Sequence, residues 1–206
     1  MSKIRVLMVD DHPLLREGVA AVIAGENDME IVAEAVDGRE AIQLFRKHLP
    51  DVTLMDLQMP GLGGVETIQA IRTEFPNARF VVLTTYQGDV QALRALKAGA
   101  AGYLLKTMLR KDLLETIRIV HSGRRRIPSE IATELAEHVG EEALSEREVT
   151  VLRLVANGNS NKLIGAELDV SEATIKMHMK NILQKLGAND RTHAVTIAMK
   201  RGFLDG

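Results

Sequence analysis

Several short apolar runs of this 206-residue chain end in side chains suited to phosphoryl or metal chemistry. Asp10 and Asp11 follow the run 4–9, Asp56 follows 52–55, Thr84 and Thr85 close the run from Phe80, and Lys106 follows 102–105. Carboxylates gathered in a partly desolvated crevice repel one another and shift toward the protonated form unless a cation compensates. A hard divalent ion such as Mg2+, held by one or two carboxylates with water and phosphate oxygens, fits that need, and Lys106 adds a fixed positive charge. A carboxylate in this setting can attack phosphorus to form an aspartyl phosphate. Such a transfer depends on positioning and charge neutralisation, which the metal, Lys106 and the Thr84 hydroxyl would supply. Asp56, alone at its strand end, is the expected nucleophile, and the adjacent pair Asp10 and Asp11 suits the metal. Taken singly, an acidic pair after a strand is usually a turn or helix cap. The coincidence at successive strand ends is what favours a site.

These groups need elements that aim them at one place. The runs 4–9, 30–36, 52–55, 80–84 and 102–105 read as five strands. Amphipathic stretches lie between them, with Ala41, Leu44, Phe45 and His48, then Val65, Ile68, Ile71 and Phe75, at spacings of three and four. This alternation predicts an α/β fold, a doubly wound five-stranded parallel sheet over residues 1–121. In such sheets ligands bind in the crevice beyond the carboxyl ends of the strands, where the four segments converge.

After His121 the pattern changes. Ser122, Gly123, three arginines, Pro128 and an acidic helix-prone stretch read as a linker over 122–143. From 144 to 206 only helical patterns remain, which predicts a second, smaller all-α domain of four helices. Ser145 with Glu148 makes a capping box, and Ser171 opens another helix. Leu163, Ile164 and Leu168 share a short helix, Asp169 and Val170 turn, and Ile175, Met179, Ile182 and Leu183 line one face of the next. Two helices with so short a turn match the helix-turn-helix, whose second helix reads DNA. Its opposite face shows Thr174, Lys176, Met177 and Lys180. The two lysines, four apart, can reach phosphates or guanine edges, and Met177 can touch a thymine methyl. On an isolated helix such a lysine pair would more often be plain solvation.

Composition narrows the classes. Apolar residues make up 46% and charged residues 26%, ordinary globular values that fit neither a disordered chain nor a membrane protein. Without cysteine, zinc ribbons, redox motifs and thiol enzymes are excluded. No secretory core or bilayer-length apolar stretch is visible, so the expected location is the cytoplasm. The net charge of −2 hides a division: acids dominate 130–148, while bases outnumber acids over 160–204. The six histidines show no metal-ligand spacing, so metal binding is not expected at His178.

VDDHPLLREG, LMDLQMPGLGG, VVLTT and GYLLKT resemble the receiver domain of two-component response regulators, a flavodoxin-like fold. The stretch LSEREVTVLRLVANGNSNKLIGAELDVSEATIKMHMKNILQKLGANDRTHAV resembles the LuxR-type DNA-binding domain. Together they are similar to the NarL/FixJ family. The resemblance implies Asp56 as phosphoacceptor, Asp10 and Asp11 as Mg2+ carboxylates joined by Asp56 and the backbone carbonyl of Gln58, and Lys106 as the phosphate-pairing lysine. It implies Thr84 and Tyr103 as a switch pair. It further implies base contacts from Lys176, Met177 and Lys180, phosphate contacts from Asn161, Lys162 and Thr174, and dimerisation through the last helix, about Asp190 to Arg201. Thr107 stands where many receivers have proline, Leu163 where glutamate is common, and Gly165 where alanine is usual. Gly165 is expected to cost about 1 kcal/mol of helix stability relative to alanine.

The expected function is a phosphorylation-controlled transcriptional regulator and not a turnover enzyme. A sensor histidine kinase, double-stranded DNA, a second copy of the chain and RNA polymerase are its expected partners, with no membrane. One alternative is a DNA-binding regulator controlled independently of phosphorylation. Another is a phosphatase passing through an aspartyl phosphate, and Gln58 argues against it. Such hydrolases place an aspartate there as general acid and base, and an amide cannot transfer a proton in that way.

Overall fold

A computed structural model describes residues 2–85, 89–137 and 142–204. The chain divides into two compact units, the first of residues 1–87 and 92–133 and the second of residues 88–91 and 134–206. The first unit holds five parallel strands, β1 (Ile4–Val9), β2 (Met29–Ala35), β3 (Val52–Asp56), β4 (Phe80–Thr84) and β5 (Gly102–Leu105), in the order β2-β1-β3-β4-β5. Helices α1 (Pro13–Ala24), α2 (Gly38–His48), α3 (Gly64–Glu74), α4 (Asp89–Ala98) and α5 (Leu109–His121) connect or follow them.

Side chains alternate across a strand, so one sequence feeds two cores. Val6, Met8, Leu54, Val81 and Leu83 pack with Val19 and Ile23 of α1 and with Leu113, Ile117 and Val120 of α5. The intervening residues Leu7, Val9, Met55, Phe80 and Val82 are equally buried, and the Phe45 ring of α2 lies 6.3 Å from that of Phe80. With both faces covered, the strands read as continuous apolar runs. Parallel register, with Val9 opposite Met55 and Asp56 opposite Leu83, brings the carboxyl ends of β1, β3 and β4 to one edge.

Part of the segment expected as a linker is tied to the sheet. Arg126 accepts from the Tyr103 amide at 3.0 Å and donates to the Ala101 carbonyl at 2.9 Å, so this segment pairs with the free edge of β5. Residues Ser129–Glu137 then form α6. Backbone hydrogen bonding, invisible in composition, gives the arginine triplet its structure.

In the second unit α7 (Glu146–Ala156), α8 (Asn161–Glu167), α9 (Glu172–Leu186) and α10 (Arg191–Arg201) each begin with a capping side chain. Ser145, Ser160, Ser171 and Asp190 accept from the backbone N–H of Glu148, Leu163, Thr174 and His193. The capping box at Ser145 and Glu148 is complete in both directions. Val151, Leu152, Val155, Ile164, Ile175, Met179, Ile182 and Leu186 form the core with Ala194 and Ala198. Leu163 of α8 is 59% exposed, because Ile164 and Gly165 take the inward positions of this seven-residue helix.

Candidate functional site

At the carboxyl edge of the sheet the structure brings Asp10, Asp11, Asp56, Thr84 and Lys106 to neighbouring strand ends. Asp10 and Asp56 are buried, and Lys106 is nearly so. The Lys106 Nζ lies 2.8 Å from Asp10 Oδ2 and 2.7 Å from Asp56 Oδ2. Each carboxylate is also held from its own loop: the His12 amide donates to Asp10 Oδ1 at 2.9 Å, and the Gln58 amide donates to Asp56 Oδ1 at 3.2 Å. Thr84 ends β4 fully inside the protein, and the Tyr103 ring is fully buried on β5. Thr107 enters a single 3-10 turn, Lys106–Met108, between β5 and α5.

Burial pushes the Asp56 carboxyl above the ordinary aspartate value, with the Asp10 charge adding in the same direction and Lys106 and the Gln58 amide opposing. Burial alone would pull the Lys106 ammonium down, but Asp10 and Asp56 outweigh it and raise it. The pocket thus holds two acids against one lysine in a desolvated place. Asp10, Asp11, His12 and Asp56 each present one ligand-type atom, all within 4.8 Å of one another. This oxygen-rich donor set fits a hard divalent cation.

Three features here escaped the sequence reading. His12 joins the cluster, with Nδ1 2.7 Å from Asp11 Oδ1 and 3.2 Å from Asp10 Oδ1. Its signal was its place directly after the acidic pair. Arg16 donates to the Asp10 carbonyl at 2.7 Å and so fixes the backbone of that acid. Gly64 opens α3 so close to β3 that a Cβ there would run into the Asp56 carbonyl oxygen and come within 2.8 Å of the Leu57 Cα. Neither contact has a local sequence signature.

The second candidate surface belongs to α8 and α9. Asn161 is half-buried and Lys162 exposed at the start of α8. The chain returns through Asp169, whose φ of 52° is left-handed, and the Val170 amide bonds the Gly165 carbonyl at 2.9 Å. A Cβ on Gly165 would lie 2.7 Å from the Val170 carbonyl oxygen. Gly165 is therefore where the turn passes the helix, so its effect on stability is not helix propensity alone.

On α9, Lys176, Met177 and Lys180 are exposed, Met177 to 56%, opposite the buried Ile175, Met179 and Ile182. Thr174 is half-buried, its hydroxyl 2.9 Å from that of the capping Ser171. His178 is half-buried beside them. Lys176 Nζ pairs with Glu172 Oε1 at 2.8 Å. At the far end of α9, Lys185 holds Glu148 at 3.0 Å and Glu142 at 3.2 Å. No helix among the described residues is long and apolar enough to cross a membrane.

Residues 6–118 match the response regulator receiver domain, and residues 142–198 match the bacterial regulatory proteins of the luxR family. The chain is 39% identical to the transcriptional regulatory protein LiaR of Bacillus subtilis (strain 168), over 98% of this chain and 100% of LiaR. Among solved structures it is similar to ChrA, a response regulator of a heme-sensing two-component system, at 35% identity over 99% of this chain and 100% of that one, with a TM-score of 0.59. It is also similar to RcsB from Salmonella enterica serovar Typhimurium, solved bound to a promoter with the phosphomimetic BeF3-. That match has 26% identity over 97% of this chain and 99% of RcsB, with a TM-score of 0.73. The parallel sheet with its acidic edge, the capped helices beyond it and these likenesses agree: the chain belongs to the response regulators that join a receiver domain to a LuxR-type DNA-binding domain, transcriptional regulators of the NarL, DegU and LiaR kind.

Proposed function

We propose that Asp56 accepts a phosphoryl group from the phosphohistidine of a sensor histidine kinase and that this controls promoter binding by the second domain. The observation that carries this reading is Lys106, set between Asp10 and Asp56 at 2.8 and 2.7 Å. A carboxylate oxygen of Asp56 attacks phosphorus, the bond from phosphorus to the kinase imidazole breaks, and the imidazole keeps that electron pair. In this reading Lys106 and the Gln58 amide face the developing charge, and the Thr84 hydroxyl bonds a phosphoryl oxygen. Asp10, Asp11, Asp56 and the Gln58 carbonyl would hold Mg2+, which supplies charge neutralisation on the transferring group. Thr84 and Tyr103 act as the switch pair.

The domain division that goes with this reading is a receiver over 1–121, a connecting segment over 122–143 and a DNA-binding domain over 144–206. Lys176, Met177 and Lys180 contact bases, Asn161, Lys162 and Thr174 contact phosphates, and two copies pair through α10. The protein works in the cytoplasm, with RNA polymerase as a further partner, and it turns over no substrate. Phosphorylation shifts the protein between states only by its differential stabilisation of them, about 5.5 kcal/mol for a complete reversal from 1:99 to 99:1. Partial activation is therefore the expected response.

The test is intact-protein mass after incubation with a small-molecule phosphodonor and Mg2+. Wild type gains one phosphoryl group and Asp56→Asn gains none. A wild-type protein that stays unmodified with an active donor would overturn the phosphoacceptor assignment.

A further inference from the structure

The exposed face of α9 carries one feature that a generic basic surface does not explain. Glu172 is the only acid of this helix, and it lies four residues before Lys176 and eight before Lys180, on one stripe. Its carboxylate is exposed and pairs with Lys176 at 2.8 Å. Lys162 of α8 lies near enough to help hold it ionised. A carboxylate turned toward a duplex is repelled by the phosphates, so it lowers affinity for DNA of any sequence. An exposed pair of this kind adds little to stability, and an acid in the first turn also suits the positive end of α9, which asks for a carboxylate there but not for one held against Lys176.

The geometry suits a base pair. In a Watson–Crick C·G pair the major-groove edge presents the guanine O6 and N7 acceptors beside the cytosine N4 amino donor. Guanine O6 and cytosine N4 are joined by an N–H···O hydrogen bond, so they stand about 2.9 Å apart. Lys176 Nζ and Glu172 Oε1 present a donor and an acceptor at nearly the same separation, with complementary sense. Both lie in the first half of the second helix of a helix-turn-helix, the part that approaches base edges.

We propose that Glu172 and Lys176 act as one unit that reads a C·G pair in the major groove, Lys176 donating to guanine and Glu172 accepting from the cytosine amino group. This rests on the reading that α9 enters DNA. Glu172 is then a specificity-determining residue: at a C·G pair it meets the cytosine amino donor while Lys176 meets both guanine O6 and N7, whereas the amino group and carbonyl of an A·T pair offer Lys176 one acceptor in place of two, and the reversed pairs set an acceptor against the carboxylate.

The experiment is selection from a randomised duplex pool by the full-length wild type and by Glu172→Ala, followed by affinities for the selected duplex, its single-pair variants and a random duplex. Wild type is expected to fix one C·G pair in each half-site. Glu172→Ala is expected to lose about tenfold to a hundredfold of discrimination at that pair alone, to bind the random duplex more tightly, and to keep the wild-type preference at other positions. A variant that keeps the wild-type preference at every position, with or without a change in melting temperature, would overturn the proposal. A wild type that enriches no sequence at all would instead overturn the DNA-reading assignment beneath it.

Discussion

In the first unit Asp10 and Asp56 are closed away from solvent around Lys106, whereas in the second Lys162, Lys176 and Lys180 stand in the open. The same residue types serve opposite ends. Buried, they form a cluster whose excess of negative charge is unfavourable until a cation offsets it and which any added charge would perturb strongly, so a small chemical change there moves a large energy. Exposed, such groups are suited to contacts that are individually weak, screened by salt and summed over a surface. A switch needs the first arrangement and a reader of polyanionic DNA needs the second.

Removing Lys106 should break this contrast most severely. Lys106→Ala leaves two buried carboxylates without their cation, and the expected loss is about 3–5 kcal/mol of stability in the first unit without divalent metal. Chemical denaturation with and without Mg2+ checks it, and Mg2+ should restore part of the loss. An equal midpoint for variant and wild type would show that the pocket carries no electrostatic load.

The surface lysines should behave otherwise. Lys180→Ala is expected to cost about 1–3 kcal/mol on the preferred duplex and little on random DNA. Lys162→Ala should weaken binding to all duplexes alike and flatten the salt dependence by about one unit. Affinities at several salt concentrations separate the two, and an unchanged slope for Lys162→Ala would refute its phosphate contact.

A smaller effect belongs to the capping box. Ser145→Ala should lower the stability of the second unit by about 1 kcal/mol. Burial would raise the Glu148 carboxyl, but the Ser145 amide, Lys185 and the Ser145 hydroxyl hold it below the ordinary glutamate value. Its contribution is therefore complete above that value and is lost as pH falls through the lower value of the folded state. Melting curves across the acid range should show the wild type losing this increment and Glu148→Gln lacking it throughout.

The smallest test compares one glycine in each unit. Gly18 in α1 is exposed and a Cβ would meet nothing within 4 Å, so Gly18→Ala should raise stability by about 1 kcal/mol. Gly165→Ala gains the same helix propensity but must push against the Val170 carbonyl. Its gain should fall short of that at Gly18, as two melting temperatures would show. Equal gains would mean that the turn yields freely.

Much of this architecture lies in local pattern. Apolar runs alternating with three-and-four spacing dictated five strands and their helices, because burial on both faces leaves an unbroken apolar signature. Ser145 and Ser171 announced their helices, since a capping side chain satisfies backbone groups only three residues away. Asp10, Asp11, Asp56, Thr84 and Lys106 were legible as a group because the parallel topology sends every strand end to one edge. Tertiary structure decided what depends on distant chain meeting distant chain. It set Lys106 between two acids from other strands, paired Arg126 with the edge of β5, and turned Leu163 outward. Gly64 lies against the Asp56 carbonyl and Gly165 against that of Val170 for the same reason. Periodicity records which face a residue occupies, but only the packed chain fixes which atoms come within a few ångströms, and on that scale charge and steric repulsion act.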